Sequence, residues 1–371
     1  MDIPLYRRRR LTISSTKLDI PRALEVIRNL QVSFSRAWEE ALLRGEVDAL
    51  VTLLLSQLAN LQSLKLGPCF TLYTDLSASL LNASLRDNAD AHLPCFDKLG
   101  FVGYDFQPLS HRRMQQRDSH NMLPMFYLPG MRTITACLDN PNILSWPIHQ
   151  HKQSHITCLD LSYIREKPLE QLLSFTPFVR KLKWTWLHDD VSNNPFDTSV
   201  VDLDQIITTL GHIRNTLEDL KIEGFCLSDG DVLPFFDVKG SFEGLRRFYY
   251  LKHLDIPLPF LATFAPSTGI LIKNMLPENV ERLAITDTFW PHECYRPGIE
   301  YAVYQDEWEF PEIMTALNSF LYNWKGSHPS LKGLEIGVDQ MDEWEKPDWD
   351  AFASLTPEHG LPIKVSKRWA A

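Results

Sequence analysis

The chain has 371 residues, enough for two or three ordinary domains or one elongated repeat array. With 44% apolar and 23% charged residues, the composition excludes a disordered chain, and the length excludes a disulfide-stapled miniature. A formal charge of −10, from 37 Lys and Arg against 47 Asp and Glu, argues against general affinity for nucleic acid or anionic membrane, so proteins or small molecules are the expected partners.

The opening residues MDIPLYRRRRLTISS carry positive charge without a following apolar run, so no secretory signal is read there and an intracellular protein is expected. Arg7 to Arg10 read as the solvated edge of a first strand, Leu11 to Ile13, with nuclear import or a nucleic-acid contact as the alternative. The longest strongly apolar stretch, Ala49 to Leu55, contains Thr52 and is far shorter than the ~20 residues a membrane span needs. The six cysteines, at 69, 95, 137, 158, 226 and 294, form no Cys-x-x-Cys pair and are expected as single buried thiols.

From Ile27 onward a unit of the form apolar-x-x-apolar-x-apolar recurs ten times. Its copies are Ile27-Leu30-Val32, Leu61-Leu64-Leu66, Phe96-Leu99-Phe101, Met131-Ile134-Ala136, Ile156-Leu159-Leu161, Val179-Leu182-Trp184, Leu217-Leu220-Ile222, Leu251-Leu254-Ile256, Val280-Leu283-Ile285 and Leu331-Leu334-Ile336. Nine of the ten middle anchors are leucine, and the copies start between 23 and 51 residues apart. The bare pattern would arise by chance about 30 times in so apolar a chain, so the weight rests on context. Polar or turn residues such as Asn60, Asn215, Asn279 and Ser330 precede several copies, and helical periodicity lies between them.

The helix signals fall in the gaps. Asp48 is expected to cap Ala49 to Leu58, and Asp202 with Gln205 has the capping-box spacing. Pro168 and Pro311 suit first helical turns, and Trp349 to Leu355 reads as a helix before a last strand, Ile363 to Val365.

A strand with two leucines on one face, covered only if the next copy stacks beside it, implies an α/β leucine-rich-repeat solenoid or horseshoe. Parallel strands would line its concave face and helices its convex face. All ten middle anchors should then be buried. The chain is read as a single domain: residues 1–26 as an N-terminal edge, 27–336 as repeats of about 23–51 residues, and 337–371 as a cap. The outward central row would be Gln31, Lys65, Gly100, Thr135, Asp160, Lys183, Lys221, Asp255, Ala284 and Glu335.

Units such as LANLQSLKLG, SHITCLDLSY, NTLEDLKIEG and ENVERLAITD resemble the irregular leucine-rich repeats that follow the F-box in many fungal F-box proteins. The resemblance runs from about Ile27 to Trp369 and concerns the repeats. It implies a protein that holds a target for a cullin-based ubiquitin ligase, joined through the ligase's linker subunit. No clear F-box opens the chain; LDIPRALEVIRNL with VSFSRAWEEALL is the nearest candidate, and the first repeat is the preferred reading of that segment.

Signals for chemistry are sparse. His149, His151 and His155 do not fall on one helical face, so a loop is expected and no metal. No phosphate-binding glycine loop and no nucleophile elbow occurs, hence no cofactor and no enzymatic activity are expected. Asp189-Asp190 and Asp202 with Asp204 read as solvated faces. Two insertions stand out: Tyr104 to Pro129, with His111, Arg112, Arg113 and Arg117, and the aromatic stretch Phe289 to Phe310. Acidic Asp339 to Asp350 reads as a solvated loop. The expected binding site for a protein partner joins Lys183, Lys221 and Asp255 of the strand row to Trp290, Tyr295, Arg296, Tyr301 and Trp308 of the insertion.

Overall fold

The computed structural model describes residues 12, 18–67, 74–85, 92–104, 121–138, 140, 141, 143, 144, 154–189, 197–227, 237–262, 272–286, 310–338 and 346–367. They form a mixed α/β protein whose main-sheet strands are parallel in every described pairing. The chain divides into two compact units. Among the described residues the first comprises those up to 137 together with 154–156, and the second comprises 138, 140, 141, 143, 144 and those from 157 to 367.

The first unit begins with three helices, α1 (Ile20–Asn29), α2 (Ser35–Leu43) and α3 (Val47–Ser56). Asp19 caps α1 by accepting the Arg22 N–H at 3.2 Å, and Pro21 sits in its first turn. Trp38 of α2 is buried and donates its indole N–H to the Ala49 carbonyl at 2.9 Å, fastening α2 to α3. Helix therefore replaces the first expected repeat. Ile27 and Leu30 are buried, but at the end of α1, and Gln31 follows with φ 52°. The Asp19–Pro21 start signal propagates helix through Ile27, so a three-anchor spacing there marks a helix face.

Three strands follow in the order β1 (Ser63–Leu66), β2 (Phe101–Tyr104) and β3 (Thr133–Cys137), with α4 (Asp75–Leu85) between the first two. Leu64 pairs with Val102, and Val102 with Ile134. The middle anchor of the second strand is thus Val102, and the copy expected at Phe96-Leu99-Phe101 is in fact Leu99-Val102-Tyr104. Phe101 points the other way, where the Lys65 ammonium lies 5.9 Å from its ring centre. Gly103, not Gly100, joins Lys65 and Thr135 in the outward row. Gly130 is required where it stands, since a Cβ there would meet the Asp97 carbonyl oxygen at 2.2 Å. Leu64 itself is only half-buried, against the expectation that every middle anchor would be covered.

Asp48 does not cap its own helix. It lies in the first turn of α3, and its carboxylate reaches the start of α4, accepting from the Leu76 N–H at 2.8 Å, the Ser77 N–H at 3.3 Å and the Ser77 hydroxyl at 2.6 Å. Burial pushes this carboxyl above its ordinary value, against the downward pull of those bonds. The folded unit thus holds the proton more tightly than the unfolded chain. Its contribution is complete below the unfolded value, about 3.9, and is lost as pH rises through the raised folded value. Urea unfolding should therefore show wild type losing stability relative to Asp48→Asn, which keeps an acceptor oxygen, as pH rises from about 3.9. Asp48→Ala, which strips the acceptor, should lower stability by about 1–2 kcal/mol. An identical pH profile for wild type and Asp48→Asn would refute the burial argument.

The second unit holds seven main-sheet strands, β4 (Cys158–Ser162), β5 (Lys181–Asp189), β7 (Asp219–Leu227), β9 (His253–Pro257), β10 (Arg282–Thr286), β11 (Gly333–Val338) and β12 (Ile363–Lys367), in that order. A side pair, β6 (Val200–Asp202) with β8 (Asp237–Lys239), is also parallel. The connections carry α5 (Glu166–Phe175), α6 (Leu203–Leu210), α7 (Leu258–Ala262), α8 (Phe310–Leu321), α9 (Trp324–Ser327) and α10 (Lys346–His359). Tight 3-10 turns stand at Phe242–Arg247 and Ile272–Asn274. Asp202 caps α6 through the Gln205 N–H at 3.0 Å, as its spacing predicts. The Gln205 side chain bonds Glu170 at 2.7 Å instead of closing the capping box. Pro168 and Pro311 lie in the first turns of α5 and α8, and the last helix and strand expected after Trp349 are α10 and β12.

Leu159, Leu182, Leu220, Leu254, Leu283 and Leu334 share one register across β4, β5, β7, β9, β10 and β11, and all are buried. One hydrogen-bond motif repeats with them. At six of the strands, the carbonyl two residues before the middle anchor accepts the next two amides of the following copy. Thr157 takes Arg180 and Lys181, Arg180 takes Glu218 and Asp219, Glu218 takes Lys252 and His253, and Lys252 takes Glu281 and Arg282, all between 2.7 and 3.1 Å. In the first unit Gln62 takes Gly100 and Phe101, and Gly100 takes Arg132 and Thr133. The copies are therefore equivalent in backbone geometry as well as in pattern.

Among the described cysteines Cys137 is buried, Cys158 half-buried and Cys95 exposed, so the expectation of buried thiols fails at Cys95.

Candidate functional site

Successive strand residues point to opposite faces, so the residue after each middle anchor faces away from the core. In the second unit this sets Asp160, Lys183, Lys221, Asp255, Ala284, Glu335 and Lys364 in one row across β4, β5, β7, β9, β10, β11 and β12. The structure thus brings together three of the expected binding residues, Lys183, Lys221 and Asp255. The other five, Trp290, Tyr295, Arg296, Tyr301 and Trp308, lie outside the described residues, as do Arg7 to Arg10, His111 to Arg117, His149, His151 and Asp339 to Glu345.

The row is a connected chain of charge. Lys183 lies 3.8 Å from Asp160 and 3.5 Å from Glu223, and Lys221 lies 2.6 Å from Glu223 and 3.7 Å from Asp255. Lys183 and Lys221 are direct cross-strand partners, an arrangement in which like charges repel. Glu223, two residues beyond Lys221 and so on the same face, lies against both ammonium groups and offsets that repulsion. It was absent from the expected site, although the period of two from Lys221 marks it. Partial burial pushes the Asp160 carboxyl up, opposed by the nearby Lys183. At β12 the Lys364 ammonium and the Ser366 hydroxyl both meet Glu335, at 3.5 and 2.6 Å.

A second cluster escaped the sequence reading. Arg165, immediately before α5, has a side chain only 3% exposed. Its guanidinium meets Glu166 at 3.2 Å and Asp197 at 3.3 Å, and donates to the carbonyls of Thr198 at 2.8 Å and Val200 at 3.2 Å. Its carbon centre sits 4.1 Å from the Trp186 ring centre, and that indole N–H donates to Glu166 at 2.6 Å. His188 Nδ1 lies 3.0 Å from Asp197 Oδ1. Asn140 holds the backbone at this point, accepting the Arg165 N–H and donating to the Tyr163 carbonyl, where Tyr163 has φ 71°. A buried carboxylate beside an imidazole is a pairing used for proton transfer. Here the same carboxylate also neutralises Arg165, and the groups are turned on one another, so the cluster ties β5, α5 and the segment entering β6 together. Only folding brings residues 140, 165, 188 and 197 into reach.

Among the described residues no helix is long and apolar enough to cross a membrane, and no group of three or more His, Cys, Asp or Glu side chains is arranged to hold a metal ion.

Fold and site define a mixed α/β protein with parallel strands in repeated register and a charged outward row. Compared with known proteins, the chain matches no family model and no curated protein.

Proposed function

We propose that this chain is a non-enzymatic, protein-binding member of the irregular leucine-rich-repeat class, with the outward row at Lys183, Lys221 and Asp255 as its contact surface. The observation that supports it most is the repeated carbonyl ladder, which sets equivalent strands side by side and repeats one outward position from strand to strand. Within that reading the chain serves as the target-recognition part of an F-box-type ubiquitin-ligase adaptor. The alternative is a freestanding interaction scaffold with no ligase link, which the lack of a clear F-box signature favours. Copurification with the linker subunit separates the two.

The test of the surface is affinity capture with partner identification, followed by rates for the captured protein. Lys183 and Lys221 are 42% and 32% exposed, so Lys183→Gln/Lys221→Gln should leave the melting transition nearly unchanged. Its association rate should fall about tenfold at low salt and its salt dependence should flatten, since exposed charges act mainly on encounter. Unchanged rates would remove this row from the binding surface.

A further inference from the structure

The turns leading into the strands of the second unit expose large rings. Tyr249 is 74% and Tyr250 57% exposed, in the turn before β9, and Phe178 is 43% exposed in the turn before β5. Tyr250 stands four residues before Leu254 and Phe178 four before Leu182, so they occupy equivalent positions on strands separated by β7, about 10 Å apart at the usual strand spacing.

These turns are held in place from neighbouring copies. The Thr216 hydroxyl lies 3.0 Å from the Pro177 carbonyl and 2.8 Å from that of Val179, the residues flanking Phe178. Asn279 donates to the carbonyl of Leu251, the residue after Tyr250, at 2.7 Å. The Lys252 and His253 amides close on the Glu218 carbonyl. Pinned turns present rings without the ordering cost that a mobile loop incurs on binding.

The surroundings are cationic in a chain of negative net charge. Arg214, Arg246, Arg247 and Lys252 are all exposed on these turns, against the exposed acids Glu243 and Glu278 and the half-buried Asp219, near His253, and Glu281, which lies near Lys252 but is paired with Lys332. Arg180, nearby, is paired with Glu218. Tyrosine and arginine are the residue types that dominate binding energy at protein interfaces, and arginine suits carboxylates because its planar fork donates two parallel bonds.

We propose that Tyr249, Tyr250, Arg247 and Lys252 form a docking surface for an acidic segment of another protein that carries an apolar or aromatic side chain. The rings receive that side chain, and the cations flank its carboxylates. Nucleic acid is the disfavoured occupant, because a polyanion charged at every nucleotide meets the repulsion of a −10 chain, whereas a short acidic segment carries few charges. The surface uses residues other than the charged strand row, and neither reading depends on the other.

The test is fluorescence anisotropy on the full chain with a fluorescein-labelled peptide alternating Glu and Trp, its Lys-for-Glu counterpart, and labelled oligo-uridine. The acidic peptide should bind at least ~10-fold more tightly than either of the others. Tyr249→Ala/Tyr250→Ala and Arg247→Glu/Lys252→Glu should each weaken it by ~10-fold or more, and only the charge-reversed variant should also lose the salt dependence. Lys183→Gln/Lys221→Gln should bind this peptide as wild type does, which separates this surface from the strand row. Because Tyr249, Tyr250, Arg247 and Lys252 are exposed, circular dichroism should give wild-type melting for both variants of this surface. Equal binding of acidic and basic peptides, tighter binding of oligo-uridine, or full binding by the tyrosine variant would each overturn the proposal.

Discussion

Arg165→Ala is expected to lower the stability of the protein by about 3–5 kcal/mol, measured as the shift in urea-unfolding free energy at neutral pH. The reason lies in what the truncation leaves behind. Asp197 has a fully buried side chain and Glu166 is 10% exposed; without the guanidinium, neither carboxylate keeps the cation facing it. The carbonyls of Thr198 and Val200 lose a donor as well, and Trp186 loses the plane stacked on it. Arg165→Lys keeps the charge but has no planar fork to reach two carboxylates and two carbonyls, so it should recover only part of the loss. The control is the triple variant Arg165→Met/Glu166→Gln/Asp197→Asn, which removes every one of these charges. It should cost less than Arg165→Ala alone, because an uncompensated buried charge is worse than none. If Arg165→Ala unfolds within about 1 kcal/mol of wild type, the cluster is not the tie described above.

Leu220→Asp should be at least as damaging, by about 4 kcal/mol or more. The side chain is fully buried on β7, between its register partners Leu182 and Leu254. Removing a buried leucine costs about 2–5 kcal/mol by itself, and the new carboxylate would have to be desolvated or carry its proton. Leu64→Asp is the informative comparison. Leu64 holds the same place in the repeat pattern but is half-buried, so a carboxylate there keeps water and the loss should be far smaller. Equal effects at the two positions would mean that pattern, not burial, governs stability; a harmless Leu220→Asp would show that Leu220 is no anchor.

Those two leucines mark how far local pattern carries. Eight of the ten expected copies fall on strands, and the six from Leu159 to Leu334 pair anchor to anchor, because apolar spacing is local and a two-residue period has one inward phase. The misplaced copies fail for physical reasons. At Ile27 a cap and a proline impose helix on a spacing that strand and helix share. At Phe96 the chain offers two overlapping phases, Phe96-Leu99-Phe101 and Leu99-Val102-Tyr104, and only pairing with Leu64 and Ile134 selects the second.

By itself, then, the sequence determined the alternation of strand and helix, the inward leucines, the cap at Asp202 and the outward places of Lys183, Lys221 and Asp255. Each follows from residues within a few positions of one another. Tertiary structure decided what depends on groups distant along the chain: Asp48 turned from its own helix to the start of α4, Glu223 seated between two lysines from adjacent strands, and Arg165 buried against Asp197 and Trp186. Desolvation and opposite charge act through space, so a carboxylate's partner is set by which strand folds beside it, and no spacing along the chain encodes that.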